Sequence, residues 1–135
     1  MPVQMVFPND AVADVARATA FYEALGFQRN PMFSDETTSC VVVHDAVAIM
    51  LLEHDRFDSV LTGDQRRTTD GSLENLLAVL LGSREEVDAL AEAALGAGGT
   101  LSKPVEANEY GMDGGQLTDP DGHILDFFFM QAPQA

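Results

Sequence analysis

Apolar positions along the chain fall into two matching sets. Val15, Ala18, Phe21, Tyr22 and Leu25 recur at three- and four-residue spacing while Arg17 and Glu23 fall on the opposite side, which predicts an amphipathic helix from about Asp14 to Leu25. Asp14 is its predicted N-cap and Gly26 its stop. A second helix is predicted from the capping box Ser83-Arg84-Glu85-Glu86 to about Leu95. Both helices close on similar words, Ala20-Phe21-Tyr22-Glu23-Ala24-Leu25-Gly26 and Ala91-Glu92-Ala93-Ala94-Leu95-Gly96, so the chain reads as a half-length repeat.

Strand-like runs surround each helix. Val3–Phe7 precedes the first and is broken by Pro8-Asn9-Asp10; Phe27–Phe33, Thr38–His44 and Val47–Glu53 follow it. The second helix has Leu76–Leu81 before it and strands near Thr100-Leu101, Gly115–Thr118 and Ile124–Met130 after it. Between the sets, His54 to Ser72 is polar and turn-rich, with one helical turn predicted around Phe57 to Leu61. The expected fold is therefore α+β, a strand, a helix and three strands written twice. We expect one domain over residues 1–135, with module 1 at about 3–53, a connection at 54–74 and module 2 at about 75–130. The last residues, Gln131 to Ala135, read as a frayed tail.

Charge narrows the range of partners. Lys and Arg total 7 against 22 acidic residues, a net charge of −15, and no basic cluster exceeds Arg66-Arg67, which argues against nucleic acid and anionic lipid. No apolar run approaches the roughly 20 residues that span a bilayer, and Met1-Pro2-Val3-Gln4 leads into no secretory signal, so a cytoplasmic location is expected. Cys40 is the lone cysteine and sits among Val41, Val42 and Val43, which reads as strand packing rather than chemistry.

The doubled strand-helix-three-strand unit, the Phe21-Tyr22 pair before Leu25-Gly26-Phe27, and the turn Asp119-Pro120-Asp121-Gly122-His123 before the last strand resemble the vicinal oxygen chelate superfamily, the glyoxalase, bleomycin-resistance and extradiol dioxygenase group. The resemblance spans Val3 to Met130. It implies two tandem βαβββ modules whose paired, curved mixed sheets form a cleft with the helices outside. In metal-dependent members of that group, ligands stand on the first and last strands of each module, the first of them seven residues before the helix cap. Mapped here, those positions give Phe7, Leu51, a residue within Leu76 to Leu81, and Asp126, four residues after Gly122. Only Asp126 carries a donor suited to a divalent ion, and a catalytic ion needs three or more protein ligands. No metal ligand set and no cofactor are expected, and a divalent ion is disfavoured.

The resemblance turns Asp126 toward the cavity and, with the period of a strand, brings Ile124 and Phe128 beside it. Ile49, Leu51 and Glu53, with Met5 and Phe7, are expected to face the same space. A carboxyl held in apolar walls is poorly solvated, which makes Asp126 the candidate catalytic acid or base. Glu109-Tyr110-Gly111-Met112-Asp113-Gly114-Gly115 is glycine-rich, and Tyr110 and Met112 suit adaptable contact with a small ligand. His44, His54 and His123 stand at no ligand-like spacing; His123 is expected to fasten the turn before the last strand. The leading expectation is a homodimeric protein that binds a small apolar or aromatic organic molecule in a metal-free cleft. The alternatives are a metal-dependent lyase or extradiol-dioxygenase-like enzyme using Asp126, and a non-catalytic dimeric scaffold.

Overall fold

The structure, a computed structural model, describes residues 2–131. The chain separates into two compact units that divide between Ser72 and Leu73. In the first unit the order is β1 (Asn9–Val12), α1 (Val15–Ala24), β2 (Gln28–Arg29), β3 (Thr38–His44), β4 (Val47–Glu53) and α2 (His54–Asp58). The second unit contains β5 (Leu77–Leu80), α3 (Arg84–Gly96), β6 (Thr100–Ala107), β7 (Met112–Thr118) and β8 (Ile124–Met130). Each unit builds one four-stranded mixed sheet, ordered β1-β4-β3-β2 in the first and β5-β8-β7-β6 in the second. The permutation is the same in both, with the module's first strand parallel to its last. The α+β class and the βαβββ repeat expected from the sequence are the observed ones.

Helix starts follow the predicted chemistry. Asp14 accepts the Arg17 N–H at 3.0 Å, and Ser83 accepts the Glu86 N–H at 3.2 Å while Glu86 reaches back to the Gly82 N–H at 2.8 Å. Gly26 and Gly98 take positive φ after the helices, 99° and 98°, where a side chain would be strained. The helix of the first unit seals a core of Val12, Val41, Ile49 and Leu51 with Phe21 and Tyr22, whose rings meet edge-on at 5.1 Å. The second core is built from Val87, Leu90, Ala94, Leu117, Leu125 and Phe127.

Four expected boundaries move. The run Val3–Phe7 is not the first strand: Val6 makes a single bridge to Val47, and the strand proper lies at Asn9–Val12. Pro8 explains the gap, because its carbonyl accepts from the Met50 N–H at 2.7 Å but it has no N–H to return. The strand expected over Phe27–Phe33 ends at Arg29; a 3-10 turn follows at Pro31–Phe33, capped by Asn30 Oδ1 on the Met32 N–H at 3.0 Å. The helical turn expected near Phe57–Leu61 is α2, His54–Asp58, which continues directly from β4 and is closed by Ser59. Finally, β6 and β7 are longer than predicted, and the glycine-rich 109–115 segment is strand from Met112 onward. Register shifts between Leu101 and Lys103 and between Lys103 and Glu106 accommodate Pro104 within β6.

Candidate functional site

The second unit's sheet has one face under a helix and one without. Arg84, the first residue of α3, reaches Asp113 on β7 at 3.3 Å, so the face of Asp113, Gly115 and Leu117 is the one α3 covers. Leu125 and Phe127 share it and are buried. Asp113 is itself buried, and it also accepts from Gln131 Nε2 at 3.1 Å, which satisfies both carboxylate oxygens. Its partner Arg84 also holds Asp88 at 3.1 Å, and these two carboxylates raise the guanidinium pKa above its usual value.

On the opposite face, register aligns Ala78, Asp126, Gln116 and Lys103 in one row across β5, β8, β7 and β6. Gln116 Nε2 donates to Asp126 Oδ1 at 2.8 Å. The next row holds Leu80, Phe128, Gly114 and Glu106. At Gly114 a Cβ would lie 2.6 Å from Phe128 Cβ and 2.8 Å from its Cα, so β7 approaches β8 too closely there for any side chain. On the same face lies a cavity of about 410 Å3 whose walls include Met112, Phe128, Pro104, Lys103, Glu106 and Asp126.

A tight turn delivers β8 to this site. Asp119 Oδ1 accepts from the Asp121 and His123 N–H groups at 2.8 and 3.0 Å, and Gly122 takes φ of 91°. The Asp-Pro-Asp-Gly-His motif therefore sets the start and register of the strand.

Of the residues singled out in the sequence, Met112, Asp126 and Phe128 meet at the cavity. Ile124 shares their face but lies outside it, and Tyr110 is 75% exposed at the β6–β7 hairpin tip, where Asn108 Oδ1 caps the Tyr110 and Met112 N–H groups. Met5 and Phe7 belong to the first unit and are exposed. Ile49, Leu51 and Glu53 were expected to share a face with Phe7, and they do not. The β1–β4 pairing sets Asn9 opposite Met50 and Ala11 opposite Leu52, so Phe7, Asn9 and Ala11 stand on the face of Ala48, Met50 and Leu52. Glu53 Oε2 accepts from the Val15 N–H at 3.3 Å, which turns its own face, with Ile49 and Leu51, toward α1. Ile49 and Leu51 are core residues, and Glu53 tethers the start of the helix.

The repeat supplies the right register. Asn9 stands five residues before the cap Asp14 and pairs with Met50; Ala78 stands five before the cap Ser83 and pairs with Asp126. Met50, not Leu51, is thus the counterpart of Asp126. Phe7 and Leu76 each stand seven residues before a cap, so the four corresponding positions carry Phe7, Met50, Leu76 and Asp126. Among the described residues no three His, Cys, Asp or Glu side chains converge as a metal site. One carboxylate, one thioether and two hydrocarbons do not fit a divalent cation that prefers oxygen or imidazole ligands.

The chain matches the model of the Glyoxalase/Bleomycin resistance protein/Dioxygenase superfamily over residues 10–127. It belongs to that superfamily. Among solved structures, this glyoxalase-superfamily chain is similar to a hypothetical protein from S. aureus, at 26% identity with a TM-score of 0.80, covering 96% of this chain and 94% of that one. A glyoxalase/bleomycin resistance protein/dioxygenase family enzyme from Burkholderia phytofirmans PsJN gives 22% identity and a TM-score of 0.81, with 92% and 96% coverage. A glyoxalase-related enzyme from Fulvimarina pelagi gives 23% and 0.74, with 93% and 87% coverage. The latter two likenesses speak for the fold. No curated protein matches the chain. Among the described residues no helix is long and apolar enough to cross a membrane.

Sequence reasoning missed Gln116, Lys103 and Glu106, and read Gly114 only as part of a glycine-rich loop. A signal for two of them was present: counting back by twos from Thr118 puts Gln116 and Gly114 on one face with Met112.

Proposed function

We propose that this superfamily member binds a small organic molecule on the Asp126 face of its second sheet, and that it does so without a divalent metal. The observation that carries the reading is the cavity itself: an oriented carboxylate, held by Gln116 at 2.8 Å, stands beside Met112 and Phe128. Such a mixture of apolar walls and one or two fixed polar groups is what small-molecule sites use to combine affinity with orientation. The metal-dependent lyase or extradiol-dioxygenase reading requires a chelated ion, and the residues at the four corresponding positions argue against one. Binding and sequestration need only the groups that line the cavity.

Two measurements on protein purified without chelator test this. Metal analysis should find far less than one divalent ion per chain, and native mass spectrometry should find a small organic molecule retained by the wild type and lost in Phe128→Ala. One ion per chain, released in Asp126→Ala, would defeat the proposal. Pairing of two copies is part of the same reading: β5 is a sheet edge, with Leu80 60% and the preceding Leu76 46% exposed, and a second copy would cover both the edge and the apolar side chains. A monomer in sedimentation equilibrium at micromolar concentration refutes the pairing.

A further inference from the structure

We infer that the molecule taken by this cavity is a flat aromatic ring carrying an N–H or O–H donor, that Asp126 is the acceptor for it, and that Gln116 is the positioning residue that aims Asp126. The inference rests on the cavity being a small-molecule site, as proposed above.

The polar part of the argument is a donor and acceptor count. An ionised carboxylate only accepts hydrogen bonds. Gln116 Nε2 occupies Oδ1 at 2.8 Å, and the pair stands directly opposite in the β7–β8 register, so the contact needs no reach from either side chain. One carboxylate oxygen is thereby fixed in the sheet face and Oδ2 is left for the cavity that Asp126 lines. Glu106 lines the same cavity, and Lys103 is the cation there. Two carboxylates against one ammonium favour a ligand that brings a donor over one that brings a carboxylate.

The shape comes from the side chains on the wall. Gly114 adds none and its backbone lies against β8, so its register partner Phe128 presents the ring there. Met112 adds a polarizable thioether that adapts to a ring. A planar ring satisfies this wall, and a donor on its rim satisfies Asp126.

Toluene, benzamide and benzoate share the ring and differ in the group on it. Each is titrated into the full chain, followed by the methyl signal of Met112 and the ring signals of Phe128, in the wild type, Asp126→Asn and Gln116→Met. Benzamide should bind about tenfold or more tightly than either of the others, the scale of one hydrogen bond to a charged group. In Asp126→Asn, Gln116 still donates to the side-chain oxygen, so the amide NH2 faces the cavity; benzamide, which can turn its carbonyl to that NH2, should weaken several-fold, while benzoate, which only accepts, should gain about tenfold. In Gln116→Met, benzamide should weaken several-fold with toluene unchanged, a split that general damage to the site would not give. If Asp126→Asn fails to fold, the benzamide-to-toluene ratio in the wild type and Gln116→Met decides.

Equal binding of toluene and benzamide in the wild type overturns the inference while leaving the cavity a binding site. Benzoate binding tightest, and lost in Lys103→Met, overturns it in favour of a carboxylate site. If none of the three moves the Met112 or Phe128 signals, the small-molecule reading of the cavity falls and the inference falls with it.

Discussion

Gly114 and Gly115 are adjacent on β7, neither has a positive φ, and each can be changed to Ala by the same single methyl group. The structure makes opposite demands of the two. At Gly114 the new carbon would strike the Phe127 carbonyl oxygen and lie 2.6 and 2.8 Å from Phe128 Cβ and Cα; these atoms belong to the backbone and its first carbon, so a strand must move. At Gly115 the closest atoms are Lys103 O at 3.0 Å, the end of the Phe127 ring at 3.2 Å and a Val105 methyl at 3.3 Å, which can yield by a few tenths of an ångström. Overpacking costs about 1–3 kcal/mol, and a Gly→Ala change at an unstrained φ returns about 0.4–1 kcal/mol through the unfolded chain. Gly114→Ala should therefore lose about 1–2 kcal/mol net, and Gly115→Ala should stay within about 1 kcal/mol of wild type. Urea denaturation followed by far-UV circular dichroism reads the difference as a midpoint about 1 M lower for Gly114→Ala, taking a slope of about 1–3 kcal/mol per molar. If Gly114→Ala is as stable as Gly115→Ala, the close approach of β7 and β8 is wrong.

Arg84→Met should destabilise the chain more than Asp88→Asn does, because it strips a buried carboxylate, Asp113, of its cation while Gln131 remains; Asp88→Asn, which removes only an exposed partner, should cost less than about 0.5 kcal/mol in the same denaturation assay, and the reverse order would refute the assignment. Asp70, held by hydrogen bonds from Ser72 and Thr68, should titrate at about 2 instead of 3.8 by carboxyl carbon NMR. Since its native pKa is depressed, the turn's support is present above about pH 4 and is lost as pH falls toward 2; a midpoint near 3.8 would sink this. Burial pushes the Cys40 thiol pKa up, so the native chain should react with a disulfide reagent at pH 8 at less than a tenth of its rate in urea, and equal rates would show that the β3 interior is open.

How much of this was legible depended on which contacts are local. Helix caps at Asp14 and Ser83, and the strands Thr38–His44, Val47–Glu53 and Ile124–Met130, are written in spacing and turn chemistry within a few residues, and they stand where the sequence put them. What failed was the first strand, whose residues Asn9 and Asp10 have turn-forming side chains but are held extended by β4, a partner some forty positions on. That error alone does not move a side chain to the wrong face. Period two was also applied to β4 from Leu51, and a count that starts one residue off inverts every position on the strand.

The internal repeat corrects this from within. If the two modules share one strand order, the residue paired five places before each helix cap must correspond, and the pairs Asn9 with Met50 and Ala78 with Asp126 fix β4 against β8 without reference to any other protein. The shift changes which residues are compared but not the chemistry, because Met50 offers a divalent ion no more than Leu51 does. It does change what Asp126 is. With one thioether and two hydrocarbons at the other three positions, its partner is the amide of Gln116, a neutral hydrogen-bond donor supplied by the neighbouring strand. A carboxylate oriented by an amide instead of a metal ion keeps an open acceptor, so a ligand would meet it through a hydrogen bond and not through chelation.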